Sequence, residues 1–200
     1  MFDTIEFKSN TTNEKNQNLT ETEKNEILED ILSLKEQNKL EEAKVKCELL
    51  VKQNKNDFPA CNLLGLIFMD QGKYYEAEIY IKNALTADPN NYEILNNLGV
   101  LFVKQQKYKS AINYFEQTKS YVFNEGISNN LANAYFNNDD FIKSAEEYEL
   151  ILSNNPKSNV YFNLATVYLK LNKKHDVIRV AELSFKYFDE TLEMLNLMER

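Results

Sequence analysis

Asparagines with regular spacing are the residues of this chain whose chemistry points to binding. Asn97, Asn130 and Asn163 recur at one constant interval, and Asn96 and Asn129 lie directly beside two of them. A side-chain amide both donates and accepts a hydrogen bond, so a row of amides can bind an extended peptide backbone without reading its sequence. Background composition is the competing explanation, because Asn makes up 27 of the 200 residues.

The residue types that usually carry catalysis are scarce. His175 is the only histidine, and its charged neighbours predict a solvated position in a turn. Cys47 and Cys61 fall at positions expected to pack inside, and a thiol nucleophile needs an activating base or a lowered pKa. No cluster of residues has metal-ligand spacing. The sequence therefore predicts a protein that is not an enzyme and has no cofactor and no metal.

Charge and glycine content exclude further classes of protein. The chain has 23 basic and 31 acidic residues, a net charge of -8, and only two arginines, Arg179 and Arg200. Nucleic-acid binding needs clustered cations, so it is not expected. Four glycines are too few for a glycine-rich phosphate loop plus the turns of an α/β enzyme, or for the hairpins of an all-β domain.

No targeting signal is recognisable, and this points to a cytoplasmic protein. The N-terminal segment 1–25 contains no apolar stretch of signal-peptide length, and no apolar run in the chain is long enough to span a membrane. Two cysteines in a chain of this length do not form a disulfide scaffold. We therefore expect reduced thiols and no membrane-spanning segment.

An internal repeat supplies the elements that must position the asparagines. Segments that begin at Phe58, Tyr92, Glu125 and Ser158 are almost evenly spaced, and a weaker unit begins at Lys24. The aligned units share a Leu-Gly or Leu-Ala pair and, shortly after it, an aromatic residue: Leu64-Gly65 and Phe68, Leu98-Gly99 and Phe102, Leu131-Ala132 and Tyr135, Leu164-Ala165 and Tyr168.

Each unit contains two amphipathic stretches with helical spacing, which predicts a helix, a short turn and a second helix. Small residues such as Gly65 and Ala77 are predicted to let the two helices approach closely. The turns place Asn, Gly or Asp where a helix ends in the left-handed conformation: Asn38, Gly72, Asp139 and Asn172. Gln106 occupies the same place in the third unit and should cost stability there.

These features resemble the tetratricopeptide repeat family over residues 24–190. Pro89 and Pro156 fall where the family has its closing proline, whereas Cys61, Ile81 and Ala132 depart from the family pattern. The resemblance implies an all-α, right-handed superhelical α-solenoid of about five helix-turn-helix units. The units are 24–57, 58–91, 92–124, 125–157 and 158–190, within a repeat domain of residues 23–190. A flexible polar tail, 1–22, and a capping helix, 191–200, complete the expected organisation.

The resemblance also implies a binding groove, because the first helix of each unit lines the concave side in this family. Positions 2, 5, 6, 9, 12 and 13 of each unit then point into the groove, and an amide ladder at position 6 is similar to that of protein O-linked N-acetylglucosamine transferases. The predicted groove residues are Asn62, Leu66, Asn96, Asn97, Val100, Asn129, Asn130, Asn133, Phe162 and Asn163.

One subclass of the family is not expected. Co-chaperones that clamp an acidic C-terminal tail use basic residues at positions 2 and 6 of a unit. Position 2 here reads Pro59, Glu93, Gly126 and Asn159, and no position 6 is basic. Tight binding of a Glu-Glu-Val-Asp tail is therefore not predicted, because the cations that would hold its carboxylates are missing.

Three functions remain open at this point. The first is a protein-interaction module that acts as an adaptor or assembly factor and holds a partner peptide or helix. The second is the substrate-recognition region of a larger enzyme such as an O-linked glycosyltransferase. The third is a small secretion-type chaperone. The sequence leaves open the partner, the oligomeric state and whether the chain is part of a longer protein.

Overall fold

The described part of the chain is built from helices joined by short turns. A computed structural model describes residues 19–121 and 124–188. Within these residues ten helices follow in order: α1 (Glu21–Glu36), α2 (Leu40–Gln53), α3 (Phe58–Asp70), α4 (Tyr74–Ala87), α5 (Tyr92–Lys104), α6 (Tyr108–Tyr121), α7 (Glu125–Asn137), α8 (Phe141–Asn154), α9 (Ser158–Lys170) and α10 (Lys174–Phe188). Residues 1–18 of the predicted tail and the predicted capping helix 191–200 lie outside the described residues.

Successive helices form five antiparallel pairs over the described residues, and each pair packs on the next. This is the predicted α-solenoid, in which a pair buries its apolar face only by stacking on its neighbours. Leu64, Leu98 and Leu131, which align in the repeat, are all buried. The predicted all-α solenoid of helix-turn-helix units is therefore confirmed over the described residues.

The turn inside each pair has one conformation. A residue with positive φ follows the first helix in every pair: Asn38 (59°), Gly72 (74°), Gln106 (59°), Asp139 (62°) and Asn172 (57°). The next amide closes the turn on the helix, as when Lys107 N donates to the Phe102 carbonyl at 2.9 Å. The predicted turn residues are thus confirmed, and Gln106 adopts a backbone conformation that side chains with a Cβ disfavour.

Side-chain caps start several first helices and also tie the units together. The Asp57 carboxylate accepts from the Ala60 amide at 3.0 Å at the start of α3, and Lys24 Nζ of α1 lies 2.8 Å from its other oxygen. Asp57 is buried, and its hydrogen bond raises the pKa of the Lys24 ammonium. Asp57 therefore caps the first helix of the second pair and also forms an ion pair with Lys24 of the first pair. This residue joins the two units.

The helices of a pair touch where glycine replaces a larger residue. A Cβ added at Gly65 would lie 2.4 Å from Ile81 Cγ1, and one added at Gly99 would lie 2.4 Å from Phe115 Cε1. Ile81 and Phe115 are themselves fully buried, so neither has free space into which to move. The predicted close approach at these positions is confirmed, and it fixes the distance between the two helices.

The aromatic residue that recurs in each first helix makes two kinds of contact. Phe68 and Phe102 stack on Tyr80 and Tyr114 of their own pairs, each with ring centroids 5.4 Å apart. In the later units the residue is a tyrosine: Tyr135 donates to Glu116 of the preceding pair at 2.5 Å, and Tyr168 donates to Glu149. Burial, followed by these carboxylates, raises the pKa of both phenols, so the hydroxyls remain donors.

The strained turn predicts a pair of opposite stability changes. Gln106→Gly should raise the free energy of unfolding by roughly 0.5–1 kcal/mol, because glycine has no Cβ penalty at positive φ. Gly72→Gln should lower it by a similar amount, since a Cβ there meets nothing within 4 Å and the cost is purely conformational. Urea unfolding followed by circular dichroism measures both changes. Destabilisation by Gln106→Gly would contradict the account of this turn.

The tight contact at Gly99 predicts a coupled effect with Phe115. Gly99→Ala should cost about 1–3 kcal/mol of stability, because the buried Phe115 ring must be displaced. In the double variant Gly99→Ala, Phe115→Leu, the decrease in the free energy of unfolding should be smaller than the sum of the decreases in the two single variants. A strictly additive result in urea unfolding would show that the two side chains do not compete for one space.

Candidate functional site

The ten predicted groove residues lie on four successive first helices. Asn62 and Leu66 belong to α3, Asn96, Asn97 and Val100 to α5, Asn129, Asn130 and Asn133 to α7, and Phe162 and Asn163 to α9. All ten are half-buried. Partial exposure on one face of each helix is what a shallow binding surface requires, whereas core residues of the same helices are fully buried.

First helices form the inner side of the curved stack. Helix α1 contacts α3, α3 contacts α5, and α5 contacts α7, whereas no comparable contact joins two second helices among the residues described. In a curved stack the elements at the smaller radius come closest to each other. Asparagines that occupy the same position in successive repeats therefore lie on adjacent helices.

We call the half-buried positions 5, 6 and 9 of the first helices α3, α5, α7 and α9 the concave strip. The strip contains seven asparagines, four apolar residues and one threonine: Asn62, Leu63, Leu66, Asn96, Asn97, Val100, Asn129, Asn130, Asn133, Phe162, Asn163 and Thr166.

A cavity of about 550 Å³ opens on the first half of the concave strip. Five of the ten predicted residues line it, and they come from α3, α5 and α7. Its lining comprises Leu32, Asn62, Leu63, Leu66, Tyr92, Glu93, Asn96, Asn97, Asn124, Gly126, Ile127 and Asn130. The other five predicted residues, Val100, Asn129, Asn133, Phe162 and Asn163, do not line this cavity.

The rest of the lining lies outside the predicted set. One of these residues, Leu63, is at position 6 of its unit, and two others, Glu93 and Gly126, are at position 2 of theirs. The fourth, Leu32, is at position 9 of the first unit. The repeat register could therefore have found all four. All four stand at positions that the resemblance directs into the groove, but the predicted set did not include them.

Three further lining residues surround the starts of first helices. Tyr92 is 44% exposed at the first position of α5, and Ile127 is buried in the first turn of α7. Asn124 is the cap of α7, where its Oδ1 accepts from the Gly126 amide at 2.8 Å. This cap residue was missed because it is the last residue of unit 92–124 and precedes the first helix of the next unit.

The asparagines of the strip differ in how their amides are used. Asn97 Nδ2 donates to Asn62 Oδ1 at 3.0 Å and so joins α5 to α3. By contrast, Asn96, Asn129 and Asn130 make no side-chain hydrogen bond within the described residues. The Oδ1 atoms of Asn96 and Asn129 are buried and lack a donor there. A buried amide oxygen left unpaired costs about 1–3 kcal/mol. The side-chain nitrogens of these two residues are the atoms that remain for a partner.

Tyr148 ties two other asparagines of the strip together. Its hydroxyl donates to Asn133 Oδ1 at 2.6 Å and is also hydrogen-bonded by the Asn163 side chain. Tyr148 is 2% exposed, and burial raises its pKa to about 12, against the opposing effect of Asn163. Asn163 therefore stabilises the packing of α9 on the fourth pair, although its spacing matches that of Asn97 and Asn130.

The two cysteines are placed where their thiols have little reactivity, and the histidine lies outside the predicted turn. Cys47 and Cys61 are buried, and burial raises the pKa of Cys47 to about 12, which keeps it as a thiol. His175 was expected in the last inter-helix turn, but it lies in the first turn of α10, where it is exposed. The turn ends earlier because Lys173 already closes it on the Tyr168 carbonyl.

Metal sites and membrane-spanning helices are both absent from the described residues. Within 19–121 and 124–188, no three or more His, Cys, Asp or Glu side chains come together as a metal site would require. No helix in those ranges is both long and apolar enough to cross a membrane.

A family model and several solved structures are similar to this chain. The model for the tetratricopeptide repeat matches residues 62–120. No curated protein sequence matches the chain significantly. PilF of Pseudomonas aeruginosa is similar in structure, with a TM-score of 0.73 at 19% identity, over 86% of this chain and 80% of PilF.

Two further structures share the fold. YrrB, described as a tetratricopeptide repeat protein with an unusual peptide-binding site, has a TM-score of 0.75 at 15% identity and covers 87% of this chain and 91% of its own. MamA of Desulfovibrio magneticus RS-1 also has a TM-score of 0.75 at 15% identity, over 84% of this chain and 96% of MamA. At these identities the likeness shows the fold alone. The matched family model, the repeat interval and the stacked helix pairs together show that residues 62–120 match the tetratricopeptide repeat family and that the described residues have the fold of such repeats.

Proposed function

We propose that this protein is an interaction module that holds an extended segment of a partner protein along the concave strip. The observation that carries the proposal is the set of uncommitted amides at Asn96, Asn129 and Asn130 on two adjacent helices. The side-chain nitrogens of Asn96 and Asn129 can donate to a peptide carbonyl, and the Asn130 amide can both donate and accept. The peptide-binding site described for YrrB supports the same use of this fold.

The two roles of the asparagines divide the strip into binding and structural residues. Asn96, Asn129 and Asn130 are free to bind, while Asn97 is half committed to Asn62. The buried Tyr148 hydroxyl engages the two remaining amides, those of Asn133 and Asn163. We therefore place the partner backbone over α5 and α7, next to the cavity. The apolar groups of the cavity lining would take the side chains that anchor the segment.

No catalytic step is assigned to the described residues. The absence of positive charge at positions 2 and 6 also favours a partner other than an acidic C-terminal tail, since Glu93 lies on the cavity wall. We propose a cytoplasmic adaptor or assembly role, with residues 23–190 as the binding domain.

Alanine substitutions at the free amides should weaken peptide binding without unfolding the protein. A peptide ligand would be selected from phage-displayed random dodecapeptides on the immobilised full chain. Each amide hydrogen bond is worth about 0.5–1.5 kcal/mol net, so the triple variant Asn96→Ala, Asn129→Ala, Asn130→Ala should bind at least roughly tenfold more weakly. Isothermal titration calorimetry measures the affinity, and circular dichroism confirms the fold.

Matched controls use asparagines on the opposite side of the solenoid. Asn83 and Asn113 are exposed on the second helices α4 and α6, so their change to alanine has the same effect on helix propensity. Binding should be unchanged in that double variant. Equal loss of affinity in the control, or none in the triple variant, would overturn the proposed site.

A further inference from the structure

The first helices of the later four pairs are almost free of charge. Helices α3, α5, α7 and α9 carry no more than two charged residues each, and all of these lie in the first two positions or at the last position of a helix. The second helices α4, α6, α8 and α10 carry three to five each. Charged residues make up 27% of the chain, so the concave strip, which contains none, departs strongly from the rest of the surface.

Two of the few charges at the ends of these helices are paired with residues outside the strip. Asp70, the last residue of α3, lies 2.8 Å from Lys35 Nζ, and Glu125, the first residue of α7, is paired with Lys157. Glu93 is the one charged residue that lines the cavity. The centre of the strip thus offers amides and apolar groups but no counter-charge.

A partner side chain in this strip would meet an environment that disfavours charge. Moving a charged group out of water without an opposite charge costs several kcal/mol, whereas backbone amides and small polar groups regain hydrogen bonds with the asparagines. Because no ion pair forms at the centre, binding should depend little on ionic strength. Uncharged polar and apolar residues are the side chains that such a strip accepts.

We propose that the occupant of the concave strip is an uncharged, extended segment of a partner protein, free of Asp, Glu, Lys and Arg. Adjacent packed helices lie about 8–10 Å apart, so the strip from α3 to α9 is roughly 24–30 Å long. An extended chain rises about 3.3 Å per residue, which gives a segment of about seven to nine residues. This inference rests on the proposed function, and it adds the chemistry of the partner.

Single substitutions in a selected peptide test the inference. The probe is the tightest dodecapeptide from the phage selection, measured against the full chain. Glu or Lys at the central position should weaken binding at least about tenfold, whereas Gln, which matches Glu in size, should change the Kd by less than about threefold. The Kd of the unsubstituted peptide should change less than about twofold between roughly 0.15 and 0.5 M NaCl.

A charge placed in the strip provides the complementary measurement. Asn130→Asp introduces a carboxylate at a half-buried position. The Asn130 side chain that it replaces makes no hydrogen bond within the described residues. This variant should bind the Lys-substituted peptide more tightly than the unaltered protein does, and it should bind the Glu-substituted peptide more weakly still. The preference of the variant for the Lys-substituted over the Glu-substituted peptide is independent of fold stability, because both peptides are measured on the same variant.

The outcomes separate this inference from the proposed function. In one outcome the triple alanine variant loses binding, but the selected peptides share a charged residue or their affinity depends steeply on salt concentration. That outcome supports the proposed groove and shows that the proposal of an uncharged occupant is wrong. If no recovered peptide depends on Asn96, Asn129 and Asn130, both proposals fail. A second copy of the chain is the alternative occupant of the strip. In that case analytical ultracentrifugation would show that the free protein is a dimer and that the peptide dissociates it. That result would also overturn the inference.

Discussion

The structure depends on one constraint: a pair of these helices cannot bury its apolar face alone. Close approach within a pair, set by Gly65 against Ile81 and by Gly99 against Phe115, leaves each pair thin and open on both sides. Every pair must therefore pack on the next. Since successive pairs are offset by a similar amount, their first helices line up on the inner side. The row of asparagines is a direct consequence of that stacking.

Asparagines at equivalent positions of the stacked repeats do not all have the same role. Asn97, Asn130 and Asn163 occupy the same place in three units, but only Asn130 has an uncommitted amide among the described residues. The difference lies in what faces each residue across the unit. Asn62 of the preceding unit meets Asn97, and the buried hydroxyl of Tyr148 meets Asn163. The proposed binding surface therefore includes fewer residues than the repeat pattern predicts, and it is centred on α5 and α7.

Much of the fold follows from the sequence because each signal is local. The left-handed turns at Asn38 and Gly72 are set by residue types that tolerate positive φ, and even Gln106 was found by its place in the register. The contacts of Asn163 could not be predicted in the same way. They depend on the distance between side chains of different helices, which no spacing in the sequence specifies. Tyr92 and Asn124 were missed for a related reason, because the starts of α5 and α7 meet at the cavity only in the assembled stack.

The central claim is that free amides on α5 and α7 bind the backbone of a partner segment. Side-chain NH₂ resonances of asparagine, observed by ¹⁵N–¹H correlation spectroscopy during titration with a selected peptide, test it most directly. Binding through these amides should shift the resonances of Asn96, Asn129 and Asn130 and leave those of Asn83 and Asn113 on the second helices unchanged. Shifts confined to the second helices, with the three strip asparagines unchanged, would contradict it.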